Sequence, residues 1–397
     1  MNTILGVGFI LLAGLFSAKL INRIRFPAVT AYLILGILIG PSLFKLIPKG
    51  ILDASGLISN IVLGLIAFSL GQNFTRQAFR NIGRPVLWIS ILEAVLPWIF
   101  VTLSSFILLR QPFYLAILFG AIAAATAPAA TVMVVREYRA KGKFTDILLG
   151  VVAIDDGWCL IIFSLSLAIS KAVAFHTSNA LIFKVIFQAF LEIAGAFLFG
   201  GLMAYFVSFF SKFIRTQTEL LIYTLGFVLL TTGLAISLGF SVLLANMFFG
   251  TVLININKSE FNFFDPLKTV DSPLYLLFFV LAGANFEISL LLKGVGILGI
   301  VVYIFFRSIG KALGSMWGGY IVKVEDRIRK YLGFALLPQA GVALGCALIA
   351  KSDFPKVGDM LFTTIIATTV IYELIGPLCT KYALHKAGEI PVEVQQI

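Results

Sequence analysis

The chain has 397 residues, of which 60% are hydrophobic and only 12% are charged, and its formal net charge is +11. Soluble domains carry about 25% charged residues, so this composition excludes a water-soluble globular domain. The positive charge does not indicate nucleic-acid binding, because the basic residues stand in short clusters between apolar runs, as in the cytoplasmic loops of membrane proteins. The sequence therefore predicts an all-α polytopic protein embedded in a lipid bilayer.

Apolar runs predict about thirteen transmembrane helices, because a run of about 20 residues crosses a bilayer. The first run has no basic residues ahead of it, so we expect a retained helix rather than a cleaved signal. No soluble regulatory domain is expected within 1–397. The predicted spans lie near residues 3–22, 27–46, 55–72, 85–109, 113–135, 146–170, 180–211, 217–236, 239–256, 272–291, 294–322, 329–350 and 358–380.

Lysine and arginine collect in alternate loops, and the loops with this excess are normally cytoplasmic. The pattern predicts an outside N-terminus and a cytoplasmic C-terminus. The predicted cytoplasmic residues are Arg23, Arg25, Arg76, Arg80, Arg84, Arg136, Arg139, Lys141, Lys143, Lys212, Arg215, Lys258, Lys268, Lys323, Arg327, Arg329, Lys330, Lys381 and Lys386. The predicted outer residues are fewer: Lys45, Lys49, Arg110, Lys171, Lys293, Lys351 and Lys356.

Two proline-containing spans occupy matching places in two three-span units of opposite orientation. Pro128 lies in "AAATAPAAT" within the unit near 85–170, and Pro338 lies in "LLPQAGVALG" within the unit near 294–380. Proline removes a helical hydrogen bond and breaks the helix. A pair of interrupted helices in inverted halves is typical of secondary transporters, so the sequence predicts an inverted-repeat transporter with two discontinuous helices.

Two adjacent acids, Asp155 and Asp156, stand near the middle of the apolar span around 146–170. A carboxylate at the bilayer centre is costly, so it normally faces a polar cavity and marks function. Adjacent helical residues point about 100° apart, which predicts different tasks for the two acids. One would line a cavity and exchange a proton for a cation, while the other would turn towards a neighbouring helix.

The expected partner of these acids is a basic residue of the span near 294–322. Arg307 and Lys311 both lie inside this run. We expect Arg307 to form the salt bridge, because its guanidinium stays charged and can bind a carboxylate through two hydrogen bonds. Lys311 is expected to line a passage or to extend towards the interface. At the first break, Pro128 frees a carbonyl near Ala124 and Thr126 adds a hydroxyl, and such oxygens suit a hard monovalent cation.

No cofactor or resident metal is expected. The cysteines Cys159, Cys346 and Cys379 fall in or at the end of apolar runs, at a spacing that matches no metal motif. An intramembrane aspartyl protease would need two aspartates that face each other from different helices. Here the two acids are neighbours on one helix, so the sequence does not favour an enzyme.

Several segments resemble the monovalent cation:proton antiporter superfamily, in particular its bacterial branch with a double-aspartate helix. The segment "GAIAAATAPAATVMVVREY", followed by "LLGVVAIDDGW", resembles the broken helix and the ion-binding helix of that family in order and spacing. The likeness covers essentially the whole chain and includes "FPAVTAYLILGILIGPSLF", "GFSVLLANMFFGTVLIN", "PLYLLFFVLAGANFEIS" and "LLPQAGVALGCALIA".

This resemblance implies a homodimer in the bacterial cytoplasmic membrane that exchanges Na⁺, or another monovalent cation such as Li⁺, for H⁺. It implies a core bundle from about 85–170 and 294–380, in which the two broken helices cross, and a dimerisation bundle from about 1–84 and 180–291. The core would move against this scaffold. Asp156 would be the carboxylate shared by cation and proton. Asp155 would pair with a basic residue that is usually lysine, and here the matching residue is taken to be Arg307.

Four residues depart from the pattern of this family. Ala127 stands where serine or aspartate is common, Gln339 and Gly341 replace charged residues, and Asn73 replaces a frequent glutamate. These departures affect the cation selectivity that the resemblance implies. Arginine in place of lysine affects the exchange ratio, because arginine does not release its proton. K⁺/H⁺ exchange is therefore an alternative to Na⁺/H⁺ exchange. A sodium-coupled symporter of organic solutes, built on the same kind of inverted repeat, is a second alternative.

Overall fold

The computed structural model describes residues 2–23, 28–76, 83–175, 182–256, 262–286 and 296–391. All regular secondary structure in these ranges is helical, which confirms the predicted all-α class. Arg25, Arg80, Lys258 and Lys293, which contributed to the predicted orientation, lie outside the described residues.

The helices follow the predicted spans in order. Their bounds are α1 (Thr3–Asn22), α2 (Ala28–Ile39), α3 (Lys49–Asp53), α4 (Ser55–Gly71), α5 (Arg84–Ile107), α6 (Phe113–Ala123), α7 (Pro128–Glu137), α8 (Lys143–Phe175), α9 (Ile182–Phe210), α10 (Gln217–Leu238), α11 (Val242–Ile256), α12 (Lys268–Ala284), α13 (Gly296–Ile321), α14 (Asp326–Ala335), α15 (Gly341–Asp353) and α16 (Pro355–Ala387).

Seven of the described helices are long and apolar enough to cross a membrane, by length and composition: α1, α5, α8, α9, α10, α13 and α16. Helices α2, α4, α6 and α11 are apolar but shorter. The two predicted spans that contain Pro128 and Pro338 each consist of two short helices, α6 with α7 and α14 with α15. The number of thirteen membrane crossings stays a prediction.

The two interrupted segments meet where their helices stop. Residues 124–127 separate α6 from α7, and residues 336–340 separate α14 from α15. Pro128 is the first residue of α7, a position where its missing amide hydrogen costs nothing. The amide of Ala127 donates to the carbonyl of Pro338 at 2.9 Å. Non-helical backbone is thus paired with non-helical backbone inside the protein, which is where a membrane protein tolerates it.

Helices α5 and α13 approach each other closely along a row of glycines. A side chain at Gly310, Gly314 or Gly318 of α13 would collide with atoms of α5. Small residues at helix interfaces let two backbones come together in this way. Because Lys311 lies between the first two glycines, the close approach places it against Glu93 of α5, with which it forms a salt bridge.

The N-terminus of α8 is joined to the chain that follows α16. The carboxylate of Glu389 accepts hydrogen bonds from the amide of Phe144 at 2.7 Å and from the amide of Thr145 at 2.8 Å. The first amides of a helix lack partners within the helix, and the helix dipole favours a negative charge there. This contact fixes one end of the helix that carries the two central acids.

A cavity of about 380 Å³ lies between α8 and its neighbours. Its lining includes Asn60 of α4, Phe163 of α8, Glu192 of α9 and Ser352 of α15. These residues come from both of the predicted bundles, so the cavity lies where the two would meet. The division of the chain into a core bundle and a dimerisation bundle stays a prediction.

Candidate functional site

Five ionisable side chains lie buried beside the break between α6 and α7. They are Glu93 on α5, Asp155 and Asp156 on α8, and Arg307 and Lys311 on α13. The exposed fraction is 4% for Asp156 and 0% for the other four. Burial of charge in a membrane protein is costly, so such groups pair with one another or with backbone carbonyls and mark a functional site.

The ammonium group of Lys311 is the centre of this cluster. Its Nζ lies 2.7 Å from Oε2 of Glu93 and 3.4 Å from Oδ2 of Asp155. It also donates to the carbonyl of Ala124 at 2.5 Å and to the hydroxyl of Thr126 at 2.8 Å. Lys311 therefore links α5, α8 and the first helix break. The carbonyl that the sequence predicted to be free near Ala124 is one of its partners.

Arg307 lies one turn earlier on α13 and binds backbone rather than acid. Its Nε donates to the carbonyl of Ala123 at 3.0 Å, its Nη2 to Ala125 at 2.6 Å, and its Nη1 to Leu337 at 2.7 Å. The centre of the guanidinium lies 4.3 Å from the centre of the Tyr372 ring. Because these carbonyls belong to the two helix breaks, Arg307 ties one break to the other.

The prediction that Arg307 pairs with Asp155 was wrong, since Lys311 occupies that place. The two basic residues are four positions apart and share one face of α13, so each was a reasonable candidate. Carbonyls at the ends of helices lack amide partners, and the planar guanidinium can satisfy several at once. The compact ammonium of Lys311 instead fits between two carboxylates. The expectation that Lys311 lines a passage or extends towards the interface is therefore replaced by a central pairing role.

Asp156 is held differently from Asp155. The buried Oδ1 of each acid has no hydrogen-bond partner among the described residues, but Asp155 binds Lys311 through its Oδ2, whereas Asp156 forms no salt bridge with a described residue. It follows Asp155 on α8 and so points about 100° away from it around the helix axis. A buried acceptor without a partner costs free energy, which a bound proton or cation would recover. Of the two neighbouring acids, Asp156 is thus the one that Lys311 leaves available.

The remaining residues predicted for the site lie at the two breaks. The hydroxyl of Thr126, besides accepting from Lys311, lies 3.4 Å from the carbonyl of Leu336, to which it donates. Pro128 begins α7, and Pro338 accepts a backbone hydrogen bond across the breaks. These residues therefore shape the break, and the oxygen of Thr126 is already bound to an ammonium.

Sequence reasoning missed Glu93. It lies in the middle of an apolar segment, "WISILEAVLPWIF", and the argument that marked Asp155 as functional applies to it as well. Its exposed fraction is 0%, and its Oε2 makes the shorter of the two salt bridges to Lys311. A systematic search for single charges inside apolar spans would have found it.

The composition of the cluster suits a monovalent ligand. Three carboxylates accompany two basic groups, so one negative charge is in excess when all five are ionised. A single monovalent cation or a single proton can neutralise it. Among the described residues, no group of three or more His, Cys, Asp or Glu side chains could hold a metal ion.

A polytopic all-α fold with two interrupted helices that meet beside buried charges defines an ion-coupled membrane transporter. The sequence matches the family "Sodium/hydrogen exchanger, transmembrane" over residues 7–386, and the chain belongs to this family. It is therefore a cation:proton antiporter, a transport protein rather than an enzyme.

Two similar proteins extend the comparison. The ammonium/H⁺ antiporter subunit AmhT of Alkalihalophilus pseudofirmus is 24% identical over 389 residues, which cover 96% of this chain and 95% of that protein. The structure of the sodium proton antiporter MjNhaP1 of Methanocaldococcus jannaschii at pH 8 matches with a TM-score of 0.77 at 20% identity, covering 97% of this chain and 98% of the other. A second map of MjNhaP1 matches with a TM-score of 0.68. At this identity the structural likeness supports the fold.

Proposed function

We propose that this antiporter exchanges one monovalent cation, with Na⁺ as the leading candidate, for protons at the carboxylate of Asp156. The observation that carries the proposal is that Lys311 binds Asp155, whereas the buried Asp156 forms no salt bridge with a described residue and its Oδ1 has no hydrogen-bond partner among them. A proton and a cation cannot both neutralise one carboxylate at the same time. Binding of either one therefore releases the other, which is the requirement for exchange.

Alternating access is the second part of the proposal. The cavity beside Phe163 lies seven residues, or about 10 Å along the helix axis, beyond Asp156 on α8. It lies between residues of the proposed core bundle and of the proposed scaffold, as expected for an access route that opens when one bundle moves against the other. With the N-terminus outside and the C-terminus in the cytoplasm, as the lysine and arginine pattern favours, this cavity faces outwards.

The identity of the transported cation can be tested by comparing several candidates directly. The fold relative MjNhaP1 is a sodium proton antiporter, which supports Na⁺, and Li⁺ is a second small ion of the same kind. The relative AmhT, an ammonium/H⁺ antiporter subunit, favours NH₄⁺ as a second candidate. We further propose that the chain works as a homodimer in a bacterial cytoplasmic membrane, with α1–α4 and α9–α12 forming the dimerisation bundle.

The experiment is proton flux in proteoliposomes that enclose a pH-sensitive dye. The purified protein is reconstituted, an inside-acidic gradient is imposed, and Na⁺, Li⁺, K⁺ or NH₄⁺ is added outside. Vesicles with Asp156→Asn serve as the control for leak and for ammonia permeation. Cation-dependent alkalinisation that only the unaltered protein supports is expected. Equal alkalinisation by the Asp156→Asn protein would contradict the proposal, and flux that requires an added organic solute would favour a symporter.

A further inference from the structure

Lys311 has two acidic partners where one would neutralise it. Glu93 approaches its Nζ to 2.7 Å, whereas Asp155 lies 3.4 Å away. All three side chains are almost completely enclosed. The lysine would thus keep a close counter-charge if Asp155 turned towards a bound cation.

We propose that Glu93 keeps Lys311 protonated throughout the transport cycle, so that one cation is exchanged for one proton and no net charge moves. This inference rests on the proposed exchange at Asp156. It assigns to Glu93 a positioning role, because Glu93 acts on the transported ion only through Lys311.

The charges around the site support a ratio of one to one. Glu93, Asp155 and Asp156 supply three negative charges, and Arg307 and Lys311 supply two positive ones. The excess of one negative charge is cancelled by one cation in one state and by one proton in the other. The charge of Arg307 is permanent, so it is the same in both states. The ratio therefore depends on whether Lys311 gives up its proton.

The groups that surround the lysine argue that it does not. From α8 it faces Asp155, with Asp156 and Cys159 nearby on the same helix. From α5 it faces Glu93, and from the break it faces the carbonyl of Ala124 and the hydroxyl of Thr126. A neutral amine would leave two carboxylates without their cation in a dry interior, which is strongly unfavourable.

Removal of the Glu93 charge should change the ratio. In Glu93→Gln, Lys311 retains only Asp155 as a counter-charge. A cation bound at Asp156 would also attract Asp155 and so deprive the lysine of its last counter-charge, whereas a proton on Asp156 leaves Asp155 with the lysine. Lys311 is therefore expected to release its proton only when the cation binds. The variant should exchange two protons for each cation, and its apparent cation affinity at fixed pH should fall by about tenfold or more.

The test determines the reversal condition of transport in proteoliposomes of known membrane potential. Cation and pH gradients are varied until the enclosed dye reports no net proton movement. The potential is set with potassium and valinomycin when Na⁺ or Li⁺ is the transported ion, and with a gradient of the permeant anion thiocyanate when K⁺ is. A one-to-one exchanger reverses when the cation ratio equals the proton ratio, at every potential. For Glu93→Gln, the cation ratio at reversal should shift about tenfold for each 59 mV.

Two variants serve as controls. Glu93→Asp keeps the charge and should keep the voltage-independent reversal. Glu373→Gln alters another buried acid, which forms no salt bridge with Lys311. The Oε2 of Glu373 accepts a hydrogen bond from the hydroxyl of Thr30 at 3.4 Å, and this variant should also leave the ratio unchanged. If Glu93→Gln does not fold, the double variant Glu93→Gln with Lys311→Gln restores the net charge and should fold and exchange one to one.

Each result has a defined meaning. Voltage-dependent reversal of the unaltered protein would overturn the inference. One-to-one exchange by Glu93→Gln would overturn it as well, and so would voltage-dependent reversal of a folded double variant. Absence of any cation-dependent proton flux would refute the proposed exchange itself, and this result is distinct from a flux with an unexpected ratio.

Discussion

The ammonium of Lys311 and the carboxylate of Asp155 lie 3.4 Å apart in the interior of the protein and connect α13 to α8. Neither side chain is exposed beyond 1%. Asp155 is thereby committed through its Oδ2 to a protein cation, whereas Asp156, its neighbour in sequence, forms no salt bridge with a described residue, although the Oδ1 of each acid is buried without a hydrogen-bond partner. This difference between adjacent acids underlies the proposals above.

Asp156→Asn should abolish cation/proton exchange and leave a folded protein, because the amide cannot exchange a proton for a cation. The measurement is cation-driven proton flux in proteoliposomes, together with the melting temperature in detergent. Asp146→Asn, at an exposed acid in the first turn of the same helix, is the matched control and should retain flux. Undiminished exchange by Asp156→Asn would rule out its assigned role.

Lys311→Met should lower stability by about 3–5 kcal/mol, because it leaves the carboxylates of Glu93 and Asp155 buried without their cation. Combining it with Glu93→Gln should recover part of that loss. The measurement is a double-mutant cycle on the melting temperature of the detergent-solubilised protein. Strictly additive effects would show that these two residues are not coupled.

Arg307→Lys should destabilise the protein even though it keeps the charge. The guanidinium satisfies three carbonyls at the two breaks, and an ammonium cannot reach all three in that plane. Each carbonyl left without a partner costs about 1–3 kcal/mol, so thermal unfolding should shift clearly downwards. Arg84→Lys, at an exposed arginine that begins α5, is the control and should melt as the unaltered protein does. Equal melting of the two variants would contradict this reading of Arg307.

Gly314→Val should cost about 1–3 kcal/mol or more, because the added side chain meets the backbone of α5 at Leu92 and Glu93. Separation of α5 from α13 would also lengthen the Lys311–Glu93 contact, so transport should fall. Gly226→Val on α10 is the control, since the glycine there has open space around it. The melting temperatures of the two variants are compared, and equal shifts would show that the close approach of α5 and α13 is unimportant.

The pH profile of transport should reflect competition at Asp156. At low pH protons fill the carboxylate and exclude the cation, and at high pH no proton is available for the return step, so the rate should be bell-shaped. Because a cation displaces a proton from the same group, the midpoint of the acid limb should move to lower pH as the Na⁺ concentration rises. Stopped-flow fluorescence of the enclosed dye at several Na⁺ concentrations measures this. An acid limb that does not move would indicate a separate pH sensor.

Much of the architecture could be predicted from the sequence because its causes are local. The lengths of the apolar runs specified helices, and their order agrees with the structure. Pro128 and Pro338 marked two interrupted helices, since proline acts on the hydrogen bonds of its own segment. Asp155 and Asp156 were identifiable as functional candidates because charge inside an apolar run is costly wherever the helix packs.

The partners of the buried charges were decided only by the tertiary structure. Arg307 and Lys311 share one face of α13, so their positions gave no reason to choose between them, and the preference for Arg307 rested on the chemistry of its guanidinium alone. The glycines of α13 set how closely it packs on α5 and thus which basic group meets Glu93, a residue 218 positions away in the chain. The helix breaks present carbonyls that bind the guanidinium and leave the ammonium for the acids. Such pairing depends on the relative position of several helices, which no single segment specifies.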